Sequence, residues 1–277
     1  MAKLARTAEE SKQAEREWHD EEYRLHAGRE YPQDVSGFLK IFERLELTPF
    51  CQGGWSYWGD SRAEALQALG DVHGRRVLDY GCGSGRLGIY FSLHGADVRA
   101  FDLSAEGIKV AQNAARRYGV SAEFEQMDAE ELSYPDNFFD VVAGFGVLHH
   151  VIKYRGAASH LHRVLKPGGQ ALFIETLWDN PLFNFARRFT SVNADAGDAH
   201  LTEKSIYEFA REFEEVRLEK RNLLYMFKRF AKLPERSLAA PLRPRRFWRF
   251  VKSADEALLR FPALHRYCGE VIVWLRK

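Results

Sequence analysis

The chain of 277 residues has no long hydrophobic run and almost no net charge. No stretch of about 18 apolar residues occurs, and the charged N-terminal segment lacks the apolar core of a secretory signal. We therefore expect a cytoplasmic protein without a transmembrane span. The 40 basic and 39 acidic side chains leave a net charge of +1, which makes nucleic acid an unlikely partner, because phosphate binding favours a cationic surface.

Cysteine is also scarce. Cys51, Cys82 and Cys268 stand far apart and form no Cys-x-x-Cys pair, so neither a disulfide framework nor a cysteine-ligated zinc site is indicated. A reducing compartment fits this pattern. Carboxylates do not recur at metal-ligand spacing around the histidines either, so we expect no bound metal.

What the chain does contain is an alternation of short β-rich runs and helical stretches between residues 75 and 175. This alternation is typical of βαβ units. Five strands are expected at 76–80, 97–101, 122–126, 138–143 and 171–174, and two more at 216–219 and 271–275. The sequence thus predicts an α/β, Rossmann-like sheet of seven mainly parallel strands with helices on both faces.

Outside this core the periodicity loosens. Residues 1–70 predict a helical N-terminal cap segment, followed by a Rossmann-like domain over 71–277 with insertions, or lids, at about 178–202 and about 221–265. The basic and aromatic run at 241–252 allows weak contact with an anionic membrane surface or with RNA. The plainer interpretation is a solvated helix whose Phe247, Trp248 and Phe250 pack inward.

A glycine-rich loop follows the first predicted strand of the core. Gly83, Gly85 and Gly88 form a G-x-G-x-x-G pattern, in which the backbone can approach a ligand and a helix N-terminus offers N–H groups to negative charge. A nicotinamide- or flavin-dependent enzyme has to be considered for such a loop. Asp79, two residues before Gly81, sets this segment apart from the simple dinucleotide pattern.

Residues 77–85, VLDYGCGSG, resemble the first motif of the class I S-adenosylmethionine-dependent methyltransferases. The resemblance continues through 100–104 around Asp102, 126–130 around Asp128, 139–142, 148–150 and the turn at 163–169. It is strongest to the small-molecule branch called type 11. The resemblance implies transfer of a methyl group from S-adenosylmethionine to an oxygen, nitrogen or carbon atom of a small acceptor, with S-adenosylhomocysteine as the product.

The resemblance also implies which residues contact the cofactor. Asp102 is expected to accept hydrogen bonds from both ribose hydroxyls, and Asp128 from the adenine amino group. Asp79 either orders the loop or meets the ammonium group of the methionine end, and Cys82 is a small filler rather than a nucleophile. The full set of expected cofactor contacts is Asp79, Gly81, Cys82, Gly83, Asp102, Leu103, Asp128, Ala129 and Phe145.

The acid–base candidates are His149 and His150, because they come just after the fourth strand, where α/β sheets place reactive groups. A structural histidine is an equally good interpretation, and two adjacent residues on a helical turn are not expected to face the cofactor together. The acceptor pocket is expected under aromatic side chains of the cap and lid, which suit a flat or lipophilic molecule. Its expected members are Tyr23, Trp58, Trp178 and His200.

Three alternatives stay open. A nicotinamide-dependent oxidoreductase would explain the glycine loop but not Asp128 or the turn at 166–169. A protein that binds S-adenosylmethionine without transferring methyl, as a regulatory module or a cyclase, would keep the whole cofactor site. An RNA or protein methyltransferase is the third, although the Asn/Asp-Pro-Pro-Tyr/Phe tetrapeptide of many such enzymes is missing after the fourth strand.

Overall fold

The computed structural model describes residues 7–26, 32–43, 49–50, 54–55, 59–178, 180, 200–224 and 245–277. The helices are α1 (Ala8–His26), α2 (Val35–Glu43), α3 (Gly59–Leu69), α4 (Arg86–Leu93), α5 (Ala105–Tyr118), α6 (Leu148–Val151), α7 (Arg155–Val164), α8 (Glu203–Phe209) and α9 (Arg245–Leu258), with a 3-10 helix at Pro262–Tyr267. The strands are β1 (Pro49–Phe50), β2 (Gly54–Trp55), β3 (Arg76–Tyr80), β4 (Asp97–Asp102), β5 (Ala122–Gln126), β6 (Phe139–Phe145), β7 (Leu165–Thr176), β8 (Glu215–Arg221) and β9 (Glu270–Arg276).

Seven strands form one sheet in the order β5-β4-β3-β6-β7-β9-β8. Strands β3 to β7 pair in parallel, and β9 runs antiparallel to both of its neighbours. The chain proceeds outwards from β3 to β5 and then returns to the other side of β3. The order therefore reverses between β3 and β6, and the carboxyl ends of these strands form the crevice where such sheets bind ligands. The predicted Rossmann-like fold is confirmed.

The two faces of the sheet carry separate hydrophobic cores, because neighbouring strand residues point to opposite sides. Leu78 faces the core formed with α6, α7 and α8. Val77 faces the core formed with α3, α4 and α5. Burial on both faces explains why the central strands β6 and β9 are mostly apolar, whereas β5 and β8 at the edges of the sheet carry charged residues.

Helix α5 begins and ends at capping residues. Ser104 Oγ accepts a hydrogen bond from the Gly107 backbone N–H at 3.0 Å and caps the helix, and Gly119 ends it with a φ of 65°. Gly85, at the start of α4, has a φ of 86°, and a Cβ there would lie 2.5 Å from the Ala111 Cβ. Glycine at this position lets α4 and α5 pack closely beside the loop.

Two strand boundaries differ from the prediction. Strand β6 continues to Phe145, because Gly144 and Phe145 pair with Phe173 and Ile174 of β7. These two residues therefore lie within the strand rather than after it. Strand β7 begins at Leu165, which pairs with Phe139 before a register shift, so the turn expected at 166–169 lies inside the strand.

The basic helix α9 differs from the prediction at Phe250. Its inward side runs through Val251, Asp255 and Leu258, and Phe250 lies about a quarter-turn away from that side. Phe250 is 71% exposed, so the prediction that it packs inward is wrong. The side chains of Phe247 and Trp248 lie outside the described residues. Among the residues that the structure describes, no helix is long and apolar enough to cross a bilayer.

The first 70 residues contribute α1, α2, α3 and the two-stranded β1–β2 ladder. The first predicted insertion, at about 178–202, lies largely outside the described part of the chain. The second, at about 221–265, lies outside it at 225–244, and its later part forms α9 and the start of the 3-10 helix. The division into a cap and a main domain stays a prediction.

Candidate cofactor and acceptor site

The glycine loop between β3 and α4 is crowded by side chains from distant parts of the chain. Gly81 has a φ of 66°, and a Cβ there would lie 2.2 Å from Val147 Cγ2. Gly83 has a φ of 52°, and a Cβ there would lie 2.3 Å from the Tyr23 hydroxyl oxygen. Both positions require glycine, because a side chain would be strained and would collide. The loop backbone is thus held at close range by α1 and by the residues after β6.

Asp102 ends β4 directly beside this loop. One carboxylate oxygen accepts from the Gly83 backbone N–H at 2.7 Å, and the other accepts from the Ser104 backbone N–H at 2.9 Å. An ionised carboxylate has about four acceptor positions, so each oxygen retains capacity for a further donor. The chemistry of this group fits the diol of a ribose, as the sequence predicts.

Asp79 lies deeper, beneath the loop, with 1% of its surface exposed. Its Oδ2 accepts from the Gly88 backbone N–H at 2.7 Å, which ties the end of β3 to the first turn of α4. Burial raises the pKa of Asp79 to about 7, the Gly88 hydrogen bond opposes this shift, and the nearby charge of Asp102 adds to it. Of its two expected roles, ordering the loop fits this position.

Cys82 lies between these carboxylates. Its backbone N–H donates to the Phe101 carbonyl at 2.8 Å. Burial raises the pKa of its thiol well above the usual value, and the charges of Asp79 and Asp102 raise it further. A thiol that keeps its proton is a poor nucleophile, which supports the predicted role as a filler.

Asp128, after β5, is engaged by a residue that sequence reasoning missed. Lys12 of α1 places its Nζ 2.7 Å from Asp128 Oδ2 and 2.7 Å from Glu130 Oε2. Asp128 Oδ1 also accepts from the Glu130 backbone N–H at 2.9 Å. An adenine amino group at Asp128 would therefore share this carboxylate with the Lys12 ammonium.

The other expected cofactor contacts lie around the same edge of the sheet. Leu103 follows Asp102 and is half-buried, and its carbonyl accepts from Gln126 Nε2 at 3.0 Å. Ala129 is buried within the core under α6 and α7, and Phe145 packs against the core of the opposite face. These residues lie at the ends of β4, β5 and β6. Their roles as cofactor contacts stay predictions.

The two predicted acid–base histidines separate into two environments. His149 Nδ1 lies 2.8 Å from Oε2 of Glu175, a fully buried residue of β7. Glu175 Oε1 also accepts from the backbone N–H groups of Val147 and Leu148, at 2.8 and 2.5 Å. This carboxylate thus fixes both the His149 ring and the turn after β6.

His150 instead meets the N-terminal helix. Its Nδ1 lies 3.0 Å from Glu15 Oε1, and its ring centroid lies 5.3 Å from that of His19. The His149 and His150 rings are 4.0 Å apart, but each is bound to a different carboxylate. Whether either is a general base stays a prediction.

The predicted acceptor residues fall in two places. Tyr23 lies over the glycine loop, between Gly83 and Gly107, and so adjoins the cofactor residues. Trp178 and His200 stack with ring centroids 4.1 Å apart, just beyond the carboxyl end of β7. Trp58 lies outside the described residues.

Sequence reasoning assigned Tyr23 of α1 to the site but missed the polar contacts that the rest of this helix makes there. Besides Lys12, Glu15 and Tyr23, its Asp20 accepts from Ser104 Oγ at 2.5 Å and from the Glu106 backbone N–H at 3.1 Å. At 3.6 residues per turn, positions 12, 15, 20 and 23 lie on one side of the helix. Because these side chains are polar, the sequence does not indicate that this side of α1 packs against the rest of the protein.

Residues 78–173 match the family model described as a methyltransferase domain. These 96 of the 277 residues are similar to that family. The ubiquinone biosynthesis O-methyltransferase of Pseudomonas syringae pv. tomato is 38% identical over 126 residues, which are 45% of this chain and 50% of that protein.

A ubiquinone/menaquinone biosynthesis C-methyltransferase of Stutzerimonas stutzeri is 40% identical over 116 residues, or 40% of this chain and 45% of that protein. The chain thus spans about half the length of the curated relatives it matches. The solved phosphoethanolamine N-methyltransferase 2 of Haemonchus contortus, in complex with S-adenosyl-L-methionine, gives a TM-score of 0.56 at 21% identity. That likeness covers 92% of this chain and 59% of that one, and it shows a shared fold.

Proposed function

We propose that this chain is an enzyme that transfers the methyl group of S-adenosylmethionine to an oxygen, nitrogen or carbon atom of a small, lipophilic or aromatic molecule. The observation that carries the proposal is the position of Asp102. Its carboxylate is held by Gly83 and Ser104 at the carboxyl end of β4, beside the glycine loop that follows β3. A nucleoside ribose is the ligand group that this arrangement fits.

Several residues of the chain would hold the cofactor. Asp102 would accept from the ribose, Asp128 from the adenine amino group, and the loop backbone at Gly81 and Gly83 would line the methionine end. When bound, S-adenosylmethionine supplies an electrophilic methyl group on a sulfonium centre. The protein then has to align the acceptor atom and exclude water, and good alignment can contribute roughly 7–11 kcal/mol. Helix α1, which lies on Asp128 and on the loop, is placed to exclude water.

A general base is needed only when the acceptor atom arrives protonated. His149 and His150 are the candidates, and each has a carboxylate on its Nδ1, from Glu175 and Glu15 respectively. Such a partner holds the imidazole in the tautomer whose Nε2 can take a proton. We propose that one of these histidines removes the acceptor proton.

The acceptor class rests on the relatives and on the aromatic pair near β7. The two quinone-pathway relatives are named as an O- and a C-methyltransferase, and the structural neighbour as an N-methyltransferase. Their names therefore favour small molecules but do not favour one acceptor atom. The stacked Trp178 and His200 rings suit a flat acceptor.

The test is formation of S-adenosylhomocysteine from S-adenosylmethionine with a panel of lipophilic phenols, quinols and amines. We expect acceptor-dependent product with the wild-type protein, a large loss with Asp102→Ala, and no loss with Asp97→Ala. Asp97 is the matched control, because it is an exposed aspartate at the opposite end of the same strand. Cofactor binding without any S-adenosylhomocysteine across the panel would instead favour a cyclase or a regulatory module.

A further inference from the structure

A cluster of metal-ligand type lies where α1 meets the turn after β6. Glu15 and His19 stand four residues apart on α1, and His150 comes from α6. One ligand atom from each of these three residues can be chosen so that all lie within 4.8 Å of one another. His150 lies 135 positions after Glu15 and 131 after His19, so no local spacing could indicate that the three residues meet.

We propose that Glu15, His19 and His150 bind a divalent first-row metal ion, with Zn²⁺ as the ion that the ligands fit best. Two imidazoles and one carboxylate are a ligand set found in zinc enzymes, where a fourth position is left open. In a tetrahedral site with metal–ligand distances of roughly 2.0–2.2 Å, ligand atoms lie about 3.3 Å apart. Glu15 Oε1 and His150 Nδ1 are already 3.0 Å apart, and His19 has to approach by a side-chain rotation.

Burial suits this use of the cluster. The side chains of Glu15, His150 and His19 are 12%, 14% and 23% exposed, so the site is sheltered but reachable. Metal binding takes the carboxylate in its ionised form and the imidazoles in their neutral form.

The groups around the cluster leave one Glu15 oxygen for the ion. Lys153 Nζ lies 3.8 Å from Glu15 Oε2, so it faces the oxygen opposite the one beside His150. Glu22 Oε2 lies 4.0 Å from His19 Nδ1, too far for a hydrogen bond, and adds a second carboxylate beside the cluster.

The neighbouring pair of His149 and Glu175 shows why a simple carboxylate–imidazole pair is the weaker interpretation. Glu175 receives three protein donors, from Val147, Leu148 and His149, and needs no ion. At Glu15 a second imidazole approaches instead of backbone N–H groups. That difference separates a ligand cluster from a structural ion pair.

The use of the ion rests on the proposed function. With His150 as a ligand, His149 remains as the acid–base candidate. A fourth ligand position could take a hydroxyl oxygen of the acceptor, and coordination lowers the pKa of such an oxygen. Metal binding itself does not depend on methyl transfer. The two ideas can therefore fail separately.

The experiment is titration of chelator-treated, untagged protein with ZnCl₂ and CoCl₂, followed by calorimetry and by the visible spectrum of Co²⁺. We expect one equivalent of tightly bound metal and a Co²⁺ spectrum of low coordination number. Glu15→Gln and His19→Ala should each weaken binding by more than the 10–100-fold that is typical for loss of an outer-sphere partner.

Matched controls separate this site from the other histidines of the chain. Glu17→Gln changes an exposed carboxylate on the same helix, and His94→Ala changes an exposed histidine on α4. Both should bind metal like the wild type. Absence of a stoichiometric site, or equal binding by Glu15→Gln, His19→Ala and the controls, would overturn the proposal. S-Adenosylmethionine titration and circular dichroism of each variant show whether a loss reflects misfolding.

Discussion

At the scale of single residues, Asp79 is a carboxyl group whose surroundings oppose its charge. It is buried beneath the glycine loop, it has one backbone donor, and Asp102 lies near enough to raise its pKa further. A carboxylate buried with so few donors is costly, so the proton is retained to near-neutral pH. Its structural contribution is the link between β3 and α4.

This burial predicts a pH dependence of stability. The folded-state pKa of Asp79 is raised from 3.8 to about 7, so the folded protein holds a proton that the unfolded chain loses. The stabilising contribution is therefore complete below about pH 4 and disappears as the pH rises through about 7, by at most about 4 kcal/mol. The free energy of unfolding in urea, compared between wild type and Asp79→Asn, measures this change.

In that comparison the stability of the wild type relative to Asp79→Asn should fall between about pH 4 and about pH 8. The control is Asp97→Asn, because Asp97 is exposed and should show no such trend. A constant difference between wild type and Asp79→Asn across this range would show that the pKa is not raised.

The sequence predicts Asp102 better than it predicts Asp79. A carboxylate at the end of a parallel strand lies at the ligand edge whatever the details of packing, so Asp102 follows from the strand pattern. The depth of Asp79 depends on how α4 closes over the loop, which no local pattern encodes. The two oxygens of Asp102 also accept hydrogen bonds from the backbone N–H groups of Gly83 and Ser104.

At the scale of elements, α1 contributes polar contacts to the site that the sequence did not predict. A helix with charged residues on all sides looks like a solvated segment in the sequence. In the fold, its Lys12 is buried between Asp128 and Glu130, and its Asp20 bonds to Ser104 at the start of α5. These contacts join residues more than 80 positions apart, which explains why periodicity alone could not reveal them.

The contact between Lys12 and Asp128 should be measurable as a coupling free energy. Lys12→Ala, Asp128→Asn and the double variant form a cycle, and partly buried groups in contact typically couple by roughly 0.5–3 kcal/mol. We expect a stabilising coupling in that range from urea unfolding. Amide hydrogen exchange over residues 8–26 should accelerate in Lys12→Ala, because α1 loses an anchor.

Gln13→Ala is the matched control for that cycle, because Gln13 is exposed and next to Lys12 on the same helix. It should leave exchange over 8–26 close to the wild-type rate. If the cycle gives additive effects and exchange over α1 is unchanged in Lys12→Ala, then α1 is not held to the cofactor edge.

At the scale of the whole molecule, the strand order explains why the site lies where it does. The reversal between β3 and β6 brings Asp102, Asp128 and the residues after β6 to one edge, and α1 covers them. The sheet and this edge could be predicted, because hydrophobic alternation and the six motifs encode them. The acceptor pocket could not be predicted in this way. Its expected members, Trp58 and the lid segments, come together only through packing between distant parts of the sequence.

The most direct test of the account is calorimetric titration of S-adenosylmethionine, S-adenosylhomocysteine and NADH into wild type, Asp102→Ala and Asp97→Ala. Hydrogen bonds to a charged group are worth roughly 1.5–3 kcal/mol each, so losing two should weaken binding by at least about a hundred-fold. The account predicts that wild type and Asp97→Ala bind the first two ligands and not NADH, and that folded Asp102→Ala binds neither measurably. Preference for NADH, or unchanged binding of S-adenosylmethionine by Asp102→Ala, would contradict it.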